Sequence, residues 1–190
     1  VDGLLPRVHR RRLLPWQLLV LLLVPGVLVA WWVRQDSTLV AVGSRTSASA
    51  ASFADRFAIA HPHGSYADLL ADPEVDAVYL ATPHPQHHLL ALQTIAAGRA
   101  VLVEKSFTVT LAAAEEVVEA ARTAGVFCME AMWTRFLPHV AAIRTLIADG
   151  AIGDLVSVTA DHGQHFDFDP EHRLFNPDLA GGALLDLGVY

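Results

Sequence analysis

Histidines and carboxylates crowd two stretches of this sequence. His84, His87 and His88 are close neighbours, and Asp161, His162, His165, Asp167, Asp169 and His172 fill a second stretch. Such side chains ligate transition metals, but only when their spacing brings them to one point. Neither stretch has a recognised zinc spacing and no H-E-x-x-H occurs, so no metal is assigned. The second stretch suits the neighbourhood of a polar substrate. The single cysteine, Cys128, excludes an intrachain disulfide and a cysteine cluster for zinc. Other residues able to do chemistry follow short apolar runs: Ser44-Arg45, Thr82-Pro83-His84, Glu104-Lys105 and the segment from Glu130 onward.

Those runs read as buried strands: Leu39 to Val42 closed by Gly43, Val75 to Ala81, Ala100 to Val103 and Val126 to Met129. Helices are predicted between them. One runs from about Ser47 to Ala58, and Ser65 opens a short one with Asp68 in a capping-box arrangement. The next has Pro85 in its first turn, Leu89, Leu92 and Ile95 on a shared face, and Gly98 at its end. Thr110 caps another, with Leu111, Ala114, Val118 and Ala121 on one side, three glutamates outside, and Gly125 as its stop. Continuous apolar strands alternating with amphipathic helices imply an α/β, doubly wound parallel sheet covered on both faces. Ligands bind such sheets at the carboxyl ends of the strands, where the residues singled out above stand. After Gly153 the rhythm changes. Leu155 to Ala160 predicts a strand, a polar loop carries Asp161 to Asp178, and Gly181-Gly182 opens a last apolar stretch. The organisation predicted is an atypical leader over 1–37, a ligand-binding domain over 38–150 and the start of an α+β domain over 151–190.

Composition bounds what this can do. The chain has 190 residues, 53% hydrophobic and 17% charged, enough for one good core and too apolar for general disorder. A net charge of −7 argues against nucleic acid as a partner. The leader differs from the rest: Arg7, Arg10, Arg11 and Arg12 precede an apolar run from Leu13 to Val33. Its length suits a membrane anchor with a cytoplasmic N-terminus. Pro15, Pro25 and Gly26 interrupt it, and the alternatives are a non-native leader or a buried strand and helix.

The stretch Ala81-Thr82-Pro83-His84-Pro85-Gln86-His87, then Ala97-Gly98-Arg99-Ala100-Val101-Leu102-Val103-Glu104-Lys105, resembles the glucose-fructose oxidoreductase and inositol dehydrogenase family, including its Glu-Lys-Pro motif. Glu130 to Phe136 (E-A-M-W-T-R-F) and Gly182 to Tyr190 (G-A-L-L-D-L-G-V-Y) look most like its dimeric dihydrodiol and NADP xylose dehydrogenase branch. The resemblance spans Thr38 to Tyr190, with four motifs in the family's order. It implies a Rossmann-like fold and reversible hydride transfer between NADP, or alternatively NAD, and a secondary alcohol of a sugar, polyol or cyclic diol. It further implies a cytoplasmic enzyme, homodimeric when complete, with anchoring through 13–33 as the alternative.

Carried over residue by residue, the resemblance makes Lys105 the lysine that hydrogen-bonds the reacting oxygen and Tyr190 the proton donor or acceptor. A neighbouring ammonium favours the ionised form of a phenol, so the pairing is chemically sensible. Asp186, four residues before Tyr190, would share its helix face and orient the pair. Thr82, Pro83 and His87 would line the path of the cofactor's ribose and nicotinamide, with Glu104 beside Lys105, and Trp133 and Arg135 would contact cofactor or substrate. At the end of the first regular strand an acid would bind the NAD ribose, whereas arginine accommodates the NADP phosphate. Ser44-Arg45 there, with no acid, points to NADP.

The sequence departs from the pattern in three places. No G-x-G occurs, so the regular first strand and its pyrophosphate turn are missing. Leu18 to Val24, with Pro25-Gly26 as the turn, could substitute. Ser106 stands where the family has proline, and the family continues beyond Tyr190 into an open antiparallel sheet. Two other readings follow: an inactive or degenerate fragment of such an enzyme, or a membrane-anchored binding protein.

Overall fold

The computed structural model describes residues 16–22, as a strand, and 37–190. Its strands are β1 (Trp16–Leu22), β2 (Ser37–Leu39), β3 (Ala41–Gly43), β4 (His61–His63), β5 (Ala77–Ala81), β6 (Ala100–Val103) and β7 (Cys128–Glu130). The helices are α1 (Ser47–Phe57), α2 (Tyr66–Ala71), α3 (His84–Ala96), α4 (Leu111–Ala124), α5 (Pro138–Ala148) and α6 (Ala183–Asp186), with 3-10 turns at Trp133–Phe136 and Pro177–Leu179. All described strand pairs are parallel. One ladder runs β2-β1-β5-β6-β7, and β3 pairs with β4. Only Val40 separates β2 from β3, so the ladders join as β4-(β3/β2)-β1-β5-β6-β7. Counted along the chain this is the order 3-2-1-4-5-6 of a dinucleotide-binding sheet.

The first-strand place, for which the sequence offers no regular candidate, is taken by Trp16–Leu22. It pairs Leu18 with Leu39 on one side and Leu18 to Leu22 with Ala77 to Ala81 on the other. This is the substitute anticipated at Leu18 to Val24, set two residues earlier. Its backbone polar groups are met by a ladder on either side, which a lone apolar strand requires. Among the described residues no helix is long and apolar enough to cross a membrane. The remainder of the 13–33 run, and the Pro25-Gly26 turn, lie outside the described residues.

Local chemistry explains most boundaries. Thr46, Ser65 and Thr110 are N-caps whose hydroxyls accept from the amides of Ser49, Asp68 and Ala113. Gly125 ends α4 at φ 66°, a conformation that side chains disfavour. The core gathers Leu69, Val78, Leu80, Val101, Val103 and Val117, all essentially inaccessible. Each such side chain contributes roughly 1.5–3 kcal/mol by leaving water. Gly43 ends β3 where a Cβ would collide with the Leu69 side chain, so glycine lets β3 close onto α2.

Two helix faces are rotated from expectation. In α3 the buried row is His87, Leu90, Ala91, Thr94 and Ile95, while Leu89 is exposed. A buried histidine occupies the core row, and an apolar-only pattern does not count it. In α4, Val117 and Ala121 face inward, and Leu111 and Val118 are exposed. The strand expected at Leu155 to Ala160 does not form; Val156 and Val158 lie in irregular, solvent-exposed backbone. A strand needs a neighbour to fill its ladder, and no edge among the described residues pairs with it.

Candidate active site

Lys105 follows the end of β6. Glu104 extends the ladder by donating its amide to Leu80 O at 2.9 Å. Its carboxylate then turns back, accepting from the Lys105 amide at 3.0 Å through Oε2 and from the Tyr79 hydroxyl through Oε1. Burial, together with the Glu104 charge and that hydrogen bond, raises the Tyr79 phenol well above its ordinary value, so it stays a donor. The Lys105–Ser106 peptide is cis. Ser106 Oγ donates to Leu185 O at 2.5 Å, tying this loop to α6.

The lysine's head group meets the last described helix. Lys105 Nζ donates to Asp186 Oδ1 at 2.9 Å and to Asp186 O at 2.5 Å, and both side chains are nearly buried. Arg173 Nη1 reaches the same Oδ1 at 3.2 Å. Burial alone would raise the Asp186 carboxyl; hydrogen bonds and charge from Lys105 and Arg173 outweigh it and hold the group below the usual carboxylate range. Gly182 makes this approach feasible. It starts α6 at φ 120°, where only glycine is at ease, and its amide donates to Leu174 O at 2.9 Å.

Tyr190 completes the group. Lys105 Nζ lies 4.8 Å from the centre of its ring, in cation–π range. Trp133 Nε1 donates to Tyr190 Oη at 3.1 Å, with the two rings edge to face at 5.4 Å. The His162 ring packs against Tyr190 at 5.8 Å. Sequence reasoning places Asp186 and Tyr190 on one helix face. Instead α6 ends at Asp186, and a turn with the Tyr190 amide bonded to Leu187 O carries the tyrosine past it. The two residues meet through Lys105 and not through helical spacing.

The remaining expected residues divide. Thr82 closes β5, buried, and its Oγ1 has no hydrogen-bond partner among the described residues. Pro83 is the N-cap of α3. His87 is wholly inaccessible, with Nε2 2.7 Å from Thr82 O and Nδ1 2.8 Å from Ser106 O. Both ring nitrogens face backbone carbonyls, so its part is to clamp the β5 turn to the lysine loop. Ser44 donates its amide to His63 O at 3.0 Å, and Arg45 beside it is exposed at the end of β3. Arg135 is exposed, and among the described residues no hydrogen bond or ion pair joins it to the cluster. His84 sits near Lys105. Burial, reinforced by His87 and Lys105, lowers its basicity, against a hydrogen bond with the Ala180 backbone. His88 turns away to Glu116 at 2.7 Å, so the three neighbouring histidines serve three different partners.

Arg173, Tyr79 and the hydroxyl of Ser106 were not anticipated. Arg173 sits in a polar loop without periodicity, and only the folded position of Asp186 gives it meaning.

With β1 and β5 between them, the ends of β3 and β6 are three strand spacings apart, about 14 Å. Between lie Thr82 and the end of β1. An elongated ligand with an anionic end and a reactive end matches this span.

Residues 28–132 match the model of an oxidoreductase family with an NAD-binding Rossmann fold, and residues 140–190 match the GFO/IDH/MocA C-terminal domain. D-xylose 1-dehydrogenase (NADP(+)) of Hypocrea jecorina is 45% identical over 181 residues, which cover 90% of this chain and 46% of that protein. Trans-1,2-dihydrobenzene-1,2-diol dehydrogenase of Mus musculus is 45% identical over 155 residues, 82% of this chain and 46% of its own length. The chain thus spans about half the length of these relatives. Among solved structures, aldose-aldose oxidoreductase from Caulobacter crescentus complexed with glycerol superposes with a TM-score of 0.82 at 27% identity, covering 92% of this chain and 55% of that one. A 3-ketoreductase from Actinomadura kijaniata in complex with NADP gives a TM-score of 0.64 at 28% identity over 74% of this chain and 46% of that one.

Proposed function

This chain belongs to the GFO/IDH/MocA oxidoreductase family, with its NAD-binding Rossmann fold, and from that membership we propose that it carries the dinucleotide side and proton-handling residues of an NADP-dependent dehydrogenase of sugars or cyclic diols. The observation that supports this most is the Lys105 ammonium, held by Asp186 against the ring of Tyr190 at the carboxyl end of β6. The substrate class follows the xylose and dihydrodiol dehydrogenases named above.

The residues present suit a dinucleotide. Thr82 Oγ1 is a buried polar atom with no described partner at the carboxyl end of the strand beside β1. Ser44 and Arg45 would hold the ribose phosphate, the guanidinium by charge-assisted hydrogen bonds. Bound NADP would supply the redox chemistry by accepting a hydride from the carbinol carbon or returning it.

The chain's own residues handle the rest. Lys105 Nζ donates to the substrate oxygen and stabilises negative charge that grows there. As a phenolate, Tyr190 Oη takes the hydroxyl proton during oxidation, and as the neutral phenol it gives that proton back during reduction. The Trp133 indole N–H occupies one lone pair of that oxygen and so fixes where its proton points. Asp186 and Arg173 keep Lys105 aimed, since a four-carbon ammonium arm would otherwise sample many rotamers. His162, on the exposed side of Tyr190, lies where a polyol hydroxyl would approach.

The test is to incubate the purified protein with NADP or NAD and a panel of aldoses, including D-xylose, and trans-dihydrodiols, following reduced-nucleotide fluorescence. NADPH formation with a polyol, faster than NADH formation, is expected. Absence of turnover with every polyol, together with no NADPH binding, would overturn the reading.

A further inference from the structure

The edge of the sheet farthest from Lys105 carries an arrangement that the dehydrogenase reaction does not use. β4 is only His61-Pro62-His63, and its alternation puts both histidines on one face with Pro62 exposed on the other. Asp72, the C-cap of α2, points its carboxylate at that face. Its Oδ2 lies 2.8 Å from His61 Nδ1 and 3.0 Å from His63 Nε2, and the three donor atoms fall within 4.8 Å of one another. Asp72 is almost completely buried, while the two imidazoles are partly open to solvent.

The carboxylate is also held from behind. Asp72 Oδ1 accepts the Glu74 amide at 2.9 Å, and the Asp72 carbonyl accepts from Arg99 Nη2 at 3.1 Å and from the Val75 amide at 3.3 Å. Arg99 thus bonds the backbone of Asp72 and leaves the carboxylate to the histidines. Such outer hydrogen bonds fix the orientation of a metal-binding carboxylate. Two imidazoles and one carboxylate, converging and preset, form a ligand set for a borderline transition metal and not for magnesium or calcium, which prefer all-oxygen shells. Tetrahedral zinc with bonds of about 2.0–2.1 Å separates its donors by about 3.3 Å. The observed 2.8 and 3.0 Å need to open by only a few tenths of an ångström.

We propose that His61, His63 and Asp72 bind one divalent transition-metal ion of the zinc class, with a fourth position open to water on the exposed side. Binding displaces to solvent any proton on His61 Nδ1 or His63 Nε2. The ion pins edge strand β4 to the end of α2, about four strand spacings from Lys105, and takes no part in hydride transfer. The spacing H-x-H with an aspartate nine residues on is no recognised zinc signature, and the sequence reading assigned no metal. The site exists because β4 and α2 fold back on each other.

Zn2+ binding to the tag-free, chelator-treated protein should be measured by calorimetry, and Co2+ binding by its visible ligand-field absorption. One equivalent of tight sites is expected, with a raised melting temperature in Zn2+. His61→Gln and His63→Ala should each weaken this equivalent by at least about ten-fold, the first at a half-exposed position where folding is least at risk. His88→Ala and His165→Ala, which remove histidines elsewhere, should leave it intact. No tight equivalent in the parent protein would overturn the proposal, and so would an equivalent that survives both His61→Gln and His63→Ala.

Discussion

The two ends of the span from β3 to β6 differ in how they are held. Lys105 at the end of β6 is fixed on several sides: Asp186 grips its ammonium, Arg173 grips Asp186, Trp133 grips Tyr190, and His87 and Ser106 fasten the loop beneath. Arg45 at the end of β3 is exposed on a short turn, with Tyr66 as its electrostatic neighbour. The contrast follows from the work each end would do. A group that must meet a reacting oxygen within a fraction of an ångström gains from being locked before the substrate arrives. A cation that must only distinguish a phosphate from a hydroxyl can remain solvated until the phosphate orders it. Damage at the locked end should therefore spread through partners, and damage at the open end should stay confined to one ligand group.

The largest loss of stability is expected from Asp186→Ala. It strands a nearly buried Lys105 without its counter-charge, and breaking such a pair costs about 3 kcal/mol of stability. Turnover should fall by roughly 10² as Lys105 loses its aim. Urea unfolding and steady-state kinetics check the two halves, and unchanged turnover would show that the locked end is structural only. The contribution also has a pH signature. Because the folded carboxyl is held below its ordinary 3.8, the stability difference between parent and variant should be fully present above that value. It should be lost only as pH falls further, through the lower folded value.

Next in size is Arg45→Asp. Loss of the charge-assisted phosphate contact should weaken NADP binding by about 1.5–3 kcal/mol, leave NAD binding little changed or improved, and leave turnover at saturating cofactor near its parent value. Fluorescence titration with both nucleotides measures this. Equal affinity for NAD and NADP in the parent would remove Arg45 from cofactor choice. The smallest effect belongs to Trp133→Phe, which keeps the ring contact but deletes one hydrogen bond, worth about 1 kcal/mol. A loss of several-fold in turnover with unaltered cofactor affinity is expected. A loss as large as that of Asp186→Ala would mean that the indole contacts the substrate itself.

Legibility in the sequence followed the same division. β5 and β6 are uninterrupted apolar runs and were readable, as were the hydroxyl caps of α2 and α4, because their signals are local. β4 was missed: His-Pro-His at a sheet edge has neither apolar run nor alternation of hydrophobicity, and its identity comes from pairing with Ala41 to Gly43. The core row of α3 was displaced because His87 is buried by backbone carbonyls, which no hydrophobic pattern records. Val156 and Val158 look like a strand, since sequence alternation says nothing about whether a partner edge is present. Lys105, Asp186 and Tyr190 could be named from resemblance, whereas Arg173 and the Trp133 bond to Tyr190 depend on distant segments meeting in space.

The central claim is that Lys105 and Tyr190 act as one proton-handling unit, and a double-mutant cycle on turnover tests it most directly. Lys105→Met and Tyr190→Phe should each lower turnover by roughly 10² or more, with cofactor affinity little changed. The double mutant should be scarcely worse than the poorer single mutant. Losses that multiply would contradict the account by showing that the ammonium and the phenol serve separate steps.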